Sequence, residues 1–361
     1  MVRRRWIARL GLVGLGLSSS AHLVSTPTAQ AQSTPAGTAS ETANSTLDFA
    51  NGLLKSQRYE LAESEYLSWI EANPNATAAE KTQAQFGLGT ARLMRGSYAP
   101  ARDAFAKALK LAPPDHPARP TTLYRLGEIA AFLNDDRQAL ESLNEFTTRH
   151  PDHPMSDAAW RWLAEVKLRL DDPRGAKEGF ERVLARDKGE GRYAPAARVG
   201  LARAWAKLDN LETALGLLRD QIERGGEWAD RSRVELVRLL REAGRYDDAL
   251  AAHAEFERSL DSPNPTATDP KRQRWLAESR FEQAATLTKA ARAEEAEAVL
   301  QPLVGSSDAD LATRAALELG ESLAQRNQLE PARMVWTQAA ERFPNSSRWV
   351  ALIARAADAA R

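Results

Sequence analysis

The chain has 361 residues, with 49 basic and 49 acidic residues and no cysteine. The lack of cysteine excludes a disulfide framework, thiolate metal sites, a cysteine nucleophile and a lipid-anchoring cysteine. The balanced charge argues against a general nucleic-acid-binding protein, which carries a basic excess. Hydrophobic residues make up 43% of the chain and are largely alanine and leucine, which favours helix over strand.

Residues 1–31 have the order of a secretory signal peptide. Three arginines at positions 3 to 5 precede a short apolar run from Leu10 to Leu17, and the segment ends at Ala31. That run is shorter than the roughly 20 residues that span a bilayer, so we predict cleavage after Ala31 and no integral membrane segment afterwards. Arginine outnumbers lysine 39 to 10, which is typical of GC-rich bacterial genes. We therefore predict a soluble, exported protein of the periplasm.

The composition changes twice more along the chain. Residues 32–44 are rich in Ser, Thr, Ala, Pro and Gly without periodic apolar positions, which predicts a disordered leader. Helical patterns then extend over residues 45–260 and 271–345. Between them, three prolines within residues 261–270 predict an extended loop, because proline interrupts a helix.

Eight alanines recur at spacings of 35 to 47 residues: Ala62, Ala101, Ala139, Ala176, Ala214, Ala249, Ala296 and Ala332. Other residues recur with them. Around Ala101, Leu88 and Gly89 lie in one helical pattern, and Phe105 and Pro113 lie in the next. Small residues allow two helix backbones to approach, the aromatic ring fills the space beside them, and proline ends the second helix. We call the eight alanines the crossing alanines.

This pattern resembles the tetratricopeptide repeat. The resemblance implies an all-α, TPR-like α-solenoid of about eight helical hairpins, in which repeats 1–6 occupy residues 45–260 and repeats 7–8 occupy residues 271–345. Repeats 5 to 7 depart from the pattern, since His253 and Leu300 replace the aromatic residue in repeats 6 and 7. A helix over residues 346–361 is expected to cap the last repeat, with Ser346 and Ser347 as N-caps and Trp349, Leu352 and Ile353 on its buried side.

The connectors with proline are similar to those of periplasmic tetratricopeptide proteins such as the Tol-Pal-associated cell division coordinator and the outer-membrane assembly lipoprotein D. Two differences separate the chain from these proteins. No cysteine follows the export segment, as a lipoprotein requires, and no heptad coiled coil precedes the repeats, as in the coordinator.

The sequence offers little for chemistry. His150 and His153 flank Asp152, but prolines on either side hold this stretch in a turn, without the i, i+4 histidine pair of zinc enzymes. Aspartate pairs such as Asp135 and Asp136 lie at expected helix starts, where carboxylates cap free N–H groups. No phosphate-binding glycine loop or nucleophile elbow is present. We expect no enzymatic activity, no cofactor and no metal.

In the tetratricopeptide family, the first helix of each pair lines a concave groove that holds extended peptides or a partner's helix. The resemblance therefore implies a partner-binding groove along the first helices. Its candidate residues are Phe86, Met94, Tyr124, Phe132, Arg161, Arg169, Arg203, Lys207, Arg238 and Arg241. The hypothesis is that carboxylates of an extended segment pair with Arg161, Arg203 and Arg238. Two alternatives stay open: the apolar residues complete helix packing, and the basic residues form a solvated face.

These observations favour a non-enzymatic exported scaffold that binds peptide segments of envelope proteins in its concave groove. The alternative is an accessory protein for polysaccharide export or binding. Exposed aromatic residues along one face, with few arginines, would favour the sugar polymer. No nucleic-acid partner is expected.

Overall fold

The computed structural model describes residues 39–261 and 269–360 of the chain. Over these residues the backbone forms helices and turns without any β-strand, which confirms the predicted all-α fold. The predicted signal peptide, residues 1–31, and the centre of the proline-rich loop, residues 262–268, lie outside the described part. The described residues fall into two compact units, 39–162 and 163–360, which we call the N-terminal and C-terminal units.

The helices follow one another in short-linked pairs. Those of the N-terminal unit are α1 Ala39–Lys55, α2 Tyr59–Ala72, α3 Ala78–Met94, α4 Tyr98–Leu111, α5 Arg119–Phe132, α6 Asp136–Arg149 and the first half of α7 Ser156–Arg169. The C-terminal unit holds the rest of α7, then α8 Pro173–Ala185, a 3-10 turn Arg186–Gly189, α9 Ala194–Lys207, α10 Leu211–Glu223, α11 Glu227–Glu242, α12 Tyr246–Asp261, α13 Pro270–Lys289, α14 Ala293–Val304, α15 Ala309–Gln325, α16 Leu329–Arg342 and α17 Trp349–Asp358. No described helix combines the length and the apolar character that crossing a membrane requires.

All eight crossing alanines are completely buried, including those of repeats 5 to 7, where the sequence pattern is weakest. Each stands at the first turn of a second helix, from Ala62 in α2 to Ala332 in α16. With no side chain beyond Cβ, these residues let the second helix lie close to the first. The register predicted from the sequence is therefore the register of the structure.

One turn geometry links the helices of every described pair. A residue with φ between 58° and 76° precedes each crossing alanine by five positions: Gln57, Gly96, Asn134, Asp171, Asp209, Gly244, Ala291 and Asn327. Six of the eight are Gly, Asn or Asp, the residues that adopt this left-handed conformation most readily. The turn reverses the chain within a few residues, so the second helix folds back along the first.

Glycines of the first helices receive large side chains from the second helices. A Cβ built on Gly320 of α15 would lie 2.3 Å from Cε2 of Trp336 in α16, and one on Gly89 would lie 2.9 Å from Cδ1 of Phe105. Gly200 of α9 takes the ring of Phe180 from the preceding pair, at 2.2 Å. Such distances leave no room for a methyl group, so glycine is required by the close approach of the ring.

The N-terminal boundary differs from the prediction. The disordered leader was expected to reach Asn44, but α1 begins at Ala39, so the prediction is wrong for residues 39–44. Burial of Leu47, Ala50 and Leu53 anchors α1. Once a helix is anchored, extending it by a further turn needs only one hydrogen bond per residue and little burial.

The C-terminal helix α17 is shorter than the predicted residues 346–361. Arg348 occupies the N-cap position, not Ser346 or Ser347, although Ser346 Oγ accepts a hydrogen bond from the Arg348 N–H at 3.2 Å. Of the three residues expected on the buried side, only Leu352 is buried. Trp349 and Ile353 are each 39% exposed, because α17 turns Leu352 and Ala356 toward α16.

Two glycine substitutions test this packing. Replacing Gly200 by Ala forces the new Cβ into the buried ring of Phe180, and we expect the free energy of unfolding to fall by about 1 to 3 kcal/mol. The matched control is Gly216→Ala in α10, where no atom lies within 4 Å, and here the better helix propensity should raise stability by about 0.5 to 1 kcal/mol. Urea unfolding followed by circular dichroism measures both. Effects of the same sign would refute the contact.

Candidate partner-binding surface

Tyr124 of α5, predicted to line the groove, is buried. Its ring lies 5.9 Å from that of Phe146, and its hydroxyl donates to Glu128 at 2.5 Å. Glu128 is itself buried and accepts a hydrogen bond from Arg125 at 2.7 Å. These contacts hold Tyr124 in the packing between helices, so its ring is not offered to a partner.

The other predicted apolar residues of the N-terminal unit are only partly available. Phe86 packs edge-on against Phe105, with ring centroids 5.7 Å apart. Phe132 packs against Tyr98 at 4.8 Å. Of the four predicted apolar residues, only Met94 is classed as exposed. The apolar stripe thus serves mainly to join helix pairs, as stripes at helical spacing usually do.

Arg161 of α7 lies beside an aromatic ring. Its guanidinium carbon is 4.3 Å from the ring centroid of Trp162, within the range of a cation–π contact. Arg169, two turns further along α7, is exposed. These two residues belong to different units, Arg161 to the N-terminal and Arg169 to the C-terminal one.

In the C-terminal unit, the predicted basic residues are paired with glutamates of neighbouring first helices. Nη2 of Arg203 in α9 donates to both carboxylate oxygens of Glu165 in α7, at 2.7 and 2.8 Å. Its Nε lies 4.0 Å from Glu235 of α11. Lys207 also pairs back to the preceding repeat, with Nζ 2.6 Å from Asp171.

The pairing continues from α11 to α13. Arg238 donates to Glu235 from Nη1 at 2.9 Å and to Glu282 of α13 from Nε and Nη2 at 2.9 and 2.8 Å. Arg241 donates to the other oxygen of Glu282 at 3.0 Å. Six side chains thus alternate in charge across four first helices, and we call them the ion-pair ladder: Glu165, Arg203, Glu235, Arg238, Glu282 and Arg241.

The ladder keeps its charges although it is partly removed from water. Burial alone lowers the pKa of Arg203, but Glu165 and Glu235 outweigh it and hold this pKa above its usual value. The pKa of Arg238 is raised in the same way against its burial, by Glu235 and Glu282. The side chain of Glu282 is only 5% exposed, so its two arginine partners are essential to its charge.

The expectation of a basic groove therefore needs correction, because the arginines of the C-terminal unit are neutralised from within the chain. The sequence contained a signal for this pairing. Glu165, Arg203 and Arg238 precede their crossing alanines by the same 11 residues, so they occupy equivalent positions in successive repeats. Opposite charges at equivalent positions of stacked repeats come within reach of one another.

The aspartates and histidines considered for chemistry have structural contacts. Asp135 caps α6 by accepting from the Gln138 N–H, whereas Asp247 and Asp248 lie inside the first turn of α12 and do not precede it. His153 Nδ1 accepts from the Met155 N–H at 3.2 Å, and its ring packs on Phe146. Over residues 39–261 and 269–360, no three His, Asp or Glu side chains are grouped so as to hold a metal ion.

His253, at the aromatic position of repeat 6, is buried in α12. Its Nδ1 lies 2.8 Å from Ser279 Oγ of α13, and its Nε2 lies 3.6 Å from Glu257. Burial lowers the pKa of His253, although the nearby Glu257 carboxylate opposes this. The ring therefore fills a packing position in its neutral form.

Comparisons with known proteins agree with this architecture. Two family models described as "Tetratricopeptide repeat" match residues 47–116 and 163–225, and residues 121–153 and 314–346, which together make up more than half of the chain. No curated protein matches the sequence.

Two solved structures share the fold at low sequence identity. A tetratricopeptide repeat protein from Parabacteroides merdae is 15% identical with a TM-score of 0.55, over 77% of this chain and 99% of that one. The apo form of the quorum sensor NprR from B. thuringiensis is 12% identical with a TM-score of 0.58, over 83% of this chain and 86% of that one. At these identities the likeness concerns the fold alone.

A carboxylate-to-amide substitution tests the ladder. Glu282→Gln removes the charge between Arg238 and Arg241, and we expect the free energy of unfolding to fall by about 2 to 3 kcal/mol, because two half-buried guanidinium groups lose their counter-ion. The matched control is Asp171→Asn, in the exposed pair with Lys207, which should cost less than about 0.5 kcal/mol. Urea unfolding at one salt concentration measures both. Equal, small losses would show that the ladder contributes little.

Proposed function

Because the chain belongs to the tetratricopeptide repeat family, whose helix pairs suit protein–protein interaction, we propose that it is a non-enzymatic exported scaffold. Its ligand is a peptide segment of a cell-envelope protein. The segment lies along the first helices, and the ion-pair ladder of the C-terminal unit is the main contact surface.

The observation that carries this proposal is the fixed position of the ladder's charged groups. Arg203 uses Nη2 for both bonds to Glu165, yet its side chain stays 30% exposed. A guanidinium group has five N–H donors in a rigid fork, so donors remain for acceptors of a partner. Because neighbouring glutamates already order the side chain, binding loses less conformational entropy than with a free arginine.

The pairing also changes the expected chemistry of the ligand. A wholly acidic segment would compete with Glu165, Glu235 and Glu282 for the same guanidinium groups, and would meet repulsion from them. A segment with backbone carbonyls and both signs of charge matches the alternating ladder better. We therefore propose an extended peptide of mixed charge, and no longer the acidic segment suggested by the arginines alone.

A polysaccharide ligand receives less support. Sugar rings bind best against exposed aromatic faces, but Phe86, Tyr124 and Phe132 pack on rings of their own unit. The C-terminal unit presents charged side chains along its first helices. We therefore favour a peptide.

Partner capture tests the surface. We expect Arg169→Glu combined with Lys207→Glu to weaken capture by roughly 1 kcal/mol in total, which is about fivefold, because both exposed charges lie on first helices beside the ladder. The matched control, Arg182→Glu combined with Arg219→Glu, makes the same change of charge on the second helices α8 and α10. Crosslinking in intact cells followed by mass spectrometry identifies and quantifies the partner.

Thermal unfolding must be similar for both double variants, since all four residues are exposed. Capture that falls equally in both, or in neither, would contradict binding at the first helices. A captured glycan in place of a protein would support the alternative function.

Export is tested separately. The arginine-rich start, short apolar run and small residues before Gln32 support removal of residues 1–31. In a bacterium with two membranes, we expect the purified protein to begin at Gln32 by intact-mass analysis and to leave the cell in the periplasmic fraction. A protein that keeps residues 1–31 and sediments with membranes would contradict this prediction.

A further inference from the structure

Helix α17 occupies the place of a first helix, and the described residues contain no second helix packed on it. It follows Pro344 and a connector, just as α7 follows Pro151. Ala357 lies 25 residues after crossing alanine Ala332, as Ala164 of α7 lies 25 residues after Ala139. Ala164 is buried, as is Gly320 at the equivalent place in α15.

The equivalent faces of α15 and α17 differ in exposure. In α15, Thr313 and Ala316 are completely buried, and Gly320 lies under Trp336 of α16. The corresponding residues of α17 are all exposed: Val350 at 71%, Ile353 at 39%, and Ala357. They recur at i, i+3 and i+7 and so share one helical face. A terminal repeat normally presents a polar outer face, whereas this one is apolar.

The sequence of this face is complementary to itself. Trp349 and Ala357 lie four residues before and after Ile353. If two α17 helices pair antiparallel about a two-fold axis at Ile353, each Trp349 meets Ala357 of the other copy. That contact repeats the one between Trp336 and Gly320, in which a large side chain of one helix covers a small residue of its neighbour.

Charge favours the same arrangement. Asp358 ends α17 and forms no ion pair within the described residues, and a carboxylate at a helix C-terminus is unfavourable. In the antiparallel pair it lies beside the N-terminus of the other α17, where the helix dipole is positive and Arg348 stands. The small side chains of Ala354 and Ala357 permit close approach of the two helices.

We propose that α17 is a self-association site, through which two copies of this chain pair by antiparallel α17 helices. A single pair of ten-residue helices buries less surface than a stable dimer, which needs roughly 1,200 Å² or more. The dimer is therefore weak, and it forms in the micromolar range or above. This association is independent of the peptide-binding surface on the first helices of earlier repeats.

A cysteine placed on the axis tests the geometry. The chain has no cysteine, so Ile353→Cys introduces a single thiol, which in the antiparallel pair faces its own copy. Mild oxidation of the purified protein should convert it to a covalent dimer on a non-reducing gel. The matched control is Met334→Cys, an exposed apolar position on α16, which should stay monomeric.

Sedimentation equilibrium of the wild-type protein tests the association without oxidation. We expect a monomer–dimer equilibrium that Ile353→Asp weakens by at least about tenfold, since two carboxylates then meet on the axis. Met334→Asp should leave the equilibrium unchanged, and circular dichroism confirms that each variant is folded. A wild-type protein that is monomeric at several hundred micromolar, a dimer insensitive to Ile353→Asp, or equal crosslinking of both cysteine variants would overturn the proposal.

Discussion

The contact between a large side chain of one helix and a glycine or alanine of its neighbour is the interaction on which the described structure depends. Trp336 on Gly320 and Phe180 on Gly200 show how closely the ring approaches the facing backbone. Such contacts are short-range and specific, because even one methyl group on the glycine would displace the ring. The left-handed turn five residues before each crossing alanine fixes where the second helix begins. Together these two features set the geometry of a pair, and repetition of the pair makes the fold.

Stacking of pairs has an electrostatic consequence in the C-terminal unit. First helices of successive repeats bring equivalent positions together, and there the chain alternates glutamate with arginine. Glu282 is nearly removed from water and is tolerated because two arginines share its oxygens. The resulting surface is close to neutral but carries ordered donors and acceptors. Such a surface selects a polar partner by the pattern of charge more than by net attraction.

Helix α17 shows what happens when the same architecture stops halfway. Its inner side, with Leu352 and Ala356, closes the core that Trp336 begins. Its outer side keeps the small-residue position of a first helix at Ala357 but also carries a large ring at Trp349. One helix thus holds both halves of the crossing contact, which is the requirement for pairing with a copy of itself.

The sequence by itself determined the helical class, the eight crossing alanines and the start of each second helix. These features depend on residues within about 25 positions of one another, joined by a short turn, so the spacing along the chain is enough to read them. Even in repeats 5 to 7, where His253 and Leu300 replace the aromatic residue, the alanine spacing alone gave the correct register.

Only the tertiary structure decided which side chains face a partner. Arg203 meets Glu165 and Arg238 meets Glu282 across 38 and 44 residues, and each contact depends on the rotation between stacked pairs. The same rotation buries Tyr124 and leaves Trp349 and Ile353 half exposed, although a helical pattern predicts the opposite. Residue spacing fixes the angle of a side chain about its own helix axis, but the neighbours that it meets are fixed by how the next pair stacks.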